Sequence, residues 1–106
     1  MDRHFLYQAK IELYYRNRDI DSFALSKAVE ACNQQISISE EAKKAFIKEY
    51  DELLTAHVGY KQLCIIMEKQ KYYEEVIKIA KAAKKQGWNG DWDNRIERSE
   101  KKIKSV

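Results

Sequence analysis

The chain lacks proline altogether and has only three glycines and two cysteines in 106 residues. No Pro-, Gly- or Ser-rich linker therefore divides it. Gly59, Gly87 and Gly90 are too scattered to make a phosphate-cradling loop. Valine and threonine are scarce and strict alternation is hard to find, which argues against strands. No apolar run is long enough to span a bilayer. Asp2, Arg3, His4 and Lys10 interrupt the N-terminus, so no signal peptide is visible. Cys32 and Cys64 each sit inside an amphipathic pattern, so a disulfide is not expected and a reducing, cytoplasmic compartment is.

The chemistry of a site is equally thin. His4 and His57 lack an H-x-x-x-H partner, and the cysteines lack C-x-x-C spacing. His57 and Cys64 are seven apart, which gives a metal two ligands at most. No pair of carboxylates is marked out for acid–base work. The expectation is a protein with no catalytic residues, no metal and no cofactor.

What is present suits a helical protein: 44% hydrophobic and 35% charged residues. The length suits one domain, residues 1–106, with one modest core. Charge is uneven. Residues 1–68 hold 9 basic and 11 acidic side chains (net −2), and residues 69–106 hold 11 and 6 (net +5). The C-terminal half is the part able to attract an anionic partner.

The first helix is expected over 3–17, with Asp2 as N-cap. Its apolar band would be Phe5, Leu6, Ala9, Leu13 and Tyr14, with Ile11 and Tyr15 beside it. Asp19 or Asp21 can cap a second helix that runs to about residue 34 and buries Phe23, Leu25, Ala28, Val29, Ala31 and Cys32. A third helix is expected over 40–54, capped by Ser39 or, in a capping box with Glu40, by Ser37. Its apolar face would be Ala42, Ala45, Phe46, Tyr50, Leu53 and Leu54. A last helix is expected after the Asn89-Gly90 turn, capped by Asp91, with Trp92, Ile96, Ser99 and Ile103 on one face.

Between these lies the most regular stretch, residues 57–83. Tyr60, Leu63, Cys64 and Met67 recur at helical spacing, then a polar turn over 68–72, then Tyr73, Val76, Ile77, Ala80 and Ala83. Gly59, Cys64, Ala80 and Ala83 are small where two helices must come close. Gly87 follows where a left-handed closing residue belongs. A shift of 52 residues lays Ile11 on Leu63, Tyr15 on Met67, Ala28 on Ala80 and Ala31 on Ala83. The first two helices thus read as a degenerate copy, with the third helix inserted.

The order of residues over 57–87 resembles the tetratricopeptide repeat. Tyr60, Leu63, Cys64 and Met67 match the apolar and small places of its first helix. Tyr73, Glu74, Glu75, Val76, Ala80 and Ala83 match its second. Two features differ: Lys71 stands at the usual turn glycine, and the proline after the second helix is missing. The resemblance implies an all-α fold, a short right-handed array of about six antiparallel helices closed by a C-terminal helix. It also implies a peptide groove lined by Val58, Lys61, Gln62, Ile65 and Glu68, joined by Ala9, Leu13 and Arg16. Lys61 matches one place of the carboxylate-gripping versions, but Ile65 stands where they want an asparagine.

The function expected on this basis is an adaptor that binds a protein segment or a second copy of itself. A regulator bound to nucleic acid through the basic half ranks second, because Glu97 and Glu100 interrupt the stripe of Lys78, Lys81, Lys84, Lys85, Arg95, Arg98 and Lys101. No membrane partner is expected. Of the tyrosine pairs Tyr14-Tyr15 and Tyr72-Tyr73, one member of each is expected to pack and the other to border solvent. Trp88 and Trp92 are expected to cap the open end of the array. The helix at 58–67 is apolar nearly all round and should be covered on more than one side. Association that rises with protein concentration, measured by sedimentation, is the outcome expected if a second copy supplies that cover.

Overall fold

Six helices make up the regular structure of the computed structural model, which describes residues 2–50 and 56–105. They are α1 (Asp2–Arg16), α2 (Ala24–Ser37), α3 (Ser39–Tyr50), α4 (Val58–Lys69), α5 (Tyr73–Gln86) and α6 (Trp92–Lys104). The fold is all-α, and no strand occurs among the described residues beyond an isolated parallel bridge between Ala56 and Asn89. The helices divide into two compact units, Met1–Glu52 and Leu53–Val106.

In the first unit α1 packs along α2. The buried stripe of α2 is Ala24, Ala28, Ala31, Cys32 and Gln35. Phe23 does not join it. It occupies the capping position just outside the helix and is 68% exposed. Asp21 serves the turn before it, with its carboxylate accepting from the Phe23 N–H at 2.9 Å. Across from α2, α1 buries His4 and Ile11 rather than the expected band, and Phe5, Leu6 and Leu13 are about half exposed. The helix is apolar on several sides, so periodicity selects no face; the seven-residue step from His4 to Ile11 fits the seam. Gln35 fixes that register by donating its Nε2–H to the His4 carbonyl at 2.9 Å.

Between α2 and α3 the chain breaks for a single residue, Ile38, whose carbonyl accepts from Ala42 N–H at 2.9 Å. Ser39 is therefore already helical and buried, not the cap. Ala42 and Phe46 are buried as expected, and Phe46 meets the His4 ring edge-on at 5.4 Å. The side chains of Asp2 and Tyr50, and Leu53 and Leu54, lie outside the described residues.

In the second unit α5 packs against both α4 and α6. Val76, Ala80 and Ala83 are fully buried on α5, and Tyr60, Leu63, Cys64 and Ile66 on α4. The approach is close enough to bring Cys64 Sγ to 4.0 Å from the Val76 carbonyl oxygen. Both α4 and α5 end in the same way. Tyr72 N–H donates to Met67 O and Lys71 N–H to Glu68 O; Trp88 N–H donates to Ala83 O and Gly87 N–H to Lys84 O. This paired closure needs one residue in the left-handed region. Gly87 supplies it at φ 90° and Lys71 at φ 66°. The lysine at the turn is thus the same device as a glycine, made with a costlier residue.

The two units share a pattern of burial. Ala24, Ala28 and Ala31 on α2 match Val76, Ala80 and Ala83 on α5 at an offset of 52, while Ser39, Ala42 and Phe46 on α3 match Trp92, Arg95 and Ser99 on α6 at 53. The spacing of buried residues in α3 thus matches that in α6, but the packing differs: α6 lies along α5, whereas α3 meets α2 at only a few places.

Lys71→Gly should stabilise the protein by about 1 kcal/mol, because glycine takes the left-handed region without the Cβ clash. Gly87→Ala should destabilise it by at least as much. Urea unfolding of the two variants beside the parent checks both signs.

Candidate functional site

The α4–α5 turn and α6 together build a shaped surface in the second unit. Left-handed Lys71 reverses the chain so that Tyr72 and Tyr73 start α5. Tyr73 then separates two adjoining clefts. One, of about 420 Å³, is lined by Ile65, Glu68 and Lys69 of α4, by Tyr73, and by Arg95, Arg98 and Lys102 of α6. The other, of about 460 Å³, is lined by Lys71, Tyr72, Tyr73, Glu74, Glu75 and Ile103. Tyr72 (56%) and Ile103 (38%) are the large apolar side chains left exposed on the described part of this unit, and both line the second cleft.

The charges on this surface are organised by α6. Arg98 grips Glu68 with two parallel bonds, Nε to Oε1 at 2.7 Å and Nη2 to Oε2 at 3.0 Å. That hydrogen bonding is the main reason the Glu68 carboxyl is held below its ordinary range. The same bond holds Arg98 above its own. Arg95 is buried and donates Nε–H to Asp91 Oδ1 at 2.9 Å. Burial pushes Asp91 up, but the Arg95 charge and hydrogen bond outweigh it and the carboxyl ends below the usual value. Asp91 stands at the N-cap position of α6 without making the expected side-chain cap. Its carboxylate is turned to Arg95 instead.

At the other end of α5 the two tryptophans are buried. His57 caps α4 through Nδ1, which accepts the Tyr60 N–H at 3.1 Å. The Trp88 ring lies 4.7 Å from the His57 ring, and Trp92 6.5 Å from Tyr60. Trp92 donates its indole N–H to the Trp88 carbonyl at 2.7 Å. A Cβ on Gly90 would come within 2.7 Å of the Trp92 ring, which explains the glycine of the Asn89-Gly90 turn.

The residues read from the sequence as a groove are distributed over both units. Ala9, Leu13 and Arg16 are exposed on α1 in the first unit. Val58, Lys61, Gln62, Ile65 and Glu68 share one face of α4 in the second, where Ile65 and Glu68 enter the cleft beside α6. Arg95, which the sequence places in the basic stripe, is buried instead, and Lys102 joins it in the cleft lining. The signal was there: Trp92, Arg95 and Ser99 follow the i, i+3, i+7 spacing of a buried stripe. Ile103, placed on that face by the same kind of count, lies one turn beyond it and is exposed. Lys78, Lys81, Lys84 and Lys85 on α5 are exposed, and Lys84 meets Asp93 at 2.6 Å and Lys101 meets Glu97 at 3.5 Å. Tyr72 and Tyr73 divide into exposed and half-buried members; Tyr14 and Tyr15 are both half-buried.

Burial raises the Cys32 thiol to about 12 and the Cys64 thiol to about 11. Neither is a nucleophile near neutral pH. Among the described residues no group of three or more His, Cys, Asp or Glu side chains could hold a metal, and no helix is long and apolar enough to cross a membrane. Comparison with protein-family models, curated proteins and solved structures finds no match for this chain.

The Arg98–Glu68 clasp should show in acid. Glu68 titrates from an ordinary 4.5 in the unfolded chain and lower in the fold. Its contribution is complete above that ordinary value and is lost as pH falls through the folded one. Both side chains are partly exposed, so the gap is about 1 kcal/mol or less. The stability advantage of the parent over Glu68→Gln, followed by urea unfolding, should shrink below about pH 4.5 and vanish in stronger acid.

Proposed function

We propose that this chain is a non-catalytic interaction module that takes a protein segment on the face made by α4, the start of α5 and α6. The observation that carries the reading is the pair of clefts meeting at Tyr73. Their linings combine Ile65, Tyr72, Tyr73 and Ile103 with charged side chains. Aromatic and apolar anchors beside polar groups are common in protein-binding surfaces.

A tetratricopeptide-like hairpin is the finer form of this reading. The burial of Tyr60, Leu63 and Cys64 on one face of α4 supports it. So does the left-handed Lys71 at the place of the turn glycine. The first residues of α4 and α6, Val58 and Trp92, are 34 positions apart, the length of one such repeat. In that form α4 and α6 are first helices of successive units, and Trp88 and Trp92 seal the end. The nucleic-acid alternative rests on the exposed lysines of α5. It predicts binding that collapses steeply with salt and is lost on reversing Lys78 and Lys81.

Peptides selected from a random displayed library on the pure protein provide the test. Ile65→Asp should reduce their binding by at least about tenfold, the effect of removing a central anchor. Lys81→Glu, on the outer side of α5, should leave it unchanged. Circular dichroism confirms that each variant is folded. An Ile65→Asp protein that binds as well as the parent would remove the cleft as the site.

A further inference from the structure

The two clefts differ in sign, and that difference describes the partner. Around Ile65 the lining carries Lys69, Arg95, Arg98 and Lys102 against Glu68 alone. Around Tyr72 and Ile103 it carries Glu74 and Glu75 against Lys71. The cationic side chains come mostly from one edge, α6, and the acidic pair from the first turn of α5. Arg95 is held in place by burial and by its bond to Asp91, so this part of the edge is rigid. Arg98 is occupied by Glu68 through both of its hydrogen bonds. Glu68 thus holds one donor pair that an incoming carboxylate would otherwise take.

We infer that the partner is an acidic protein segment in which Asp or Glu residues adjoin a bulky apolar side chain. The acidic residues lie over the α6 edge of the first cleft. The apolar side chain crosses Tyr73 into the second, between Tyr72 and Ile103. Glu74 and Glu75 repel further acids there and so set the direction in which the segment lies. This rests on the clefts being the binding face. A nucleic acid fits the arrangement less well, because Glu68, Glu74 and Glu75 stand in the path of a continuous phosphate backbone. A peptide places its charges one by one.

The acidic partner has consequences that an apolar cleft alone does not. Lys102→Glu, an exposed change on the cationic edge, should weaken binding by about tenfold. Glu68→Gln should tighten it by a few-fold, because Arg98 gains two donors for the ligand. Raising salt from ~0.01 to ~0.1 M shortens the screening distance from ~30 to ~10 Å and should weaken the complex.

The experiment is selection from a random displayed peptide library on the whole chain, with Ile65→Asp protein as the counter-selection. Synthetic versions of the enriched peptides are then titrated by fluorescence anisotropy against the parent, Lys102→Glu and Glu68→Gln. A single-stranded RNA oligonucleotide of mixed sequence is titrated alongside. Ile65-dependent peptides rich in Asp and Glu beside Leu, Phe or Trp, weakened by Lys102→Glu and tightened by Glu68→Gln, are the expected result. Ile65-dependent peptides that are neutral or basic would overturn the acidic partner and leave the binding face standing. No Ile65-dependent peptides at all would overturn both. RNA binding that is tighter than any peptide and sensitive to Lys102→Glu would replace the acidic segment with a nucleic acid.

Discussion

Small side chains set how near the helices can approach. Ala28 and Ala31 on α2, and Ala80 and Ala83 on α5, are buried to within about one per cent. Backbones can therefore come close, as the contact of Cys64 with the Val76 carbonyl shows. An alanine seam permits approach but buries little apolar area, so larger groups have to do that elsewhere. In the first unit Ile11 and Phe46 with the His4 ring take the part. In the second Leu63, Ile66, Trp88 and Trp92 do. The indole N–H of Trp92 is satisfied by a backbone carbonyl, which lets so large a ring be buried.

The same economy of area governs the surface of the second unit. α6 is strongly charged, and the side it turns inward carries an arginine and a serine besides its tryptophan. Burying Arg95 requires a partner, and Asp91 one turn earlier supplies it. That use of Asp91 removes the helix cap that would otherwise have formed. It also leaves a fixed guanidinium at the edge of the cleft. Arg98, one turn further on, reaches across to α4 and clasps Glu68. The clasp joins the two walls and sets the charge between them. The same few ion pairs thus hold the helices together and set the charge of the cleft lining.

Much of the architecture was legible in residue order. The six helices, the tight turn before Tyr73, the left-handed closure at Gly87 and the burial of Tyr60, Leu63, Cys64, Val76, Ala80 and Ala83 follow from spacing, small residues and a glycine, while Met67, Tyr73 and Ile77 are half-buried and Ile66 is buried in addition. Those signals are local, because a helix repeats every 3.6 residues and a closing turn is made by neighbours. The outcome at α1 was not legible. With apolar residues on several sides, its sequence allows more than one buried face, and only packing against α2 selects His4 and Ile11 over Leu6 and Leu13. Nor did it show the burial of Arg95 or the meeting of Arg98 with Glu68, 30 positions earlier. A charged side chain on a helix reads as solvated until its partner's place is known, and that place belongs to another helix. The sequence by itself determined which segments are helices and where they turn. Tertiary structure alone decided which faces of α1 and α6 are buried, and with the latter the shape and sign of the cleft, because these arise between elements whose separation along the chain carries no periodic signal.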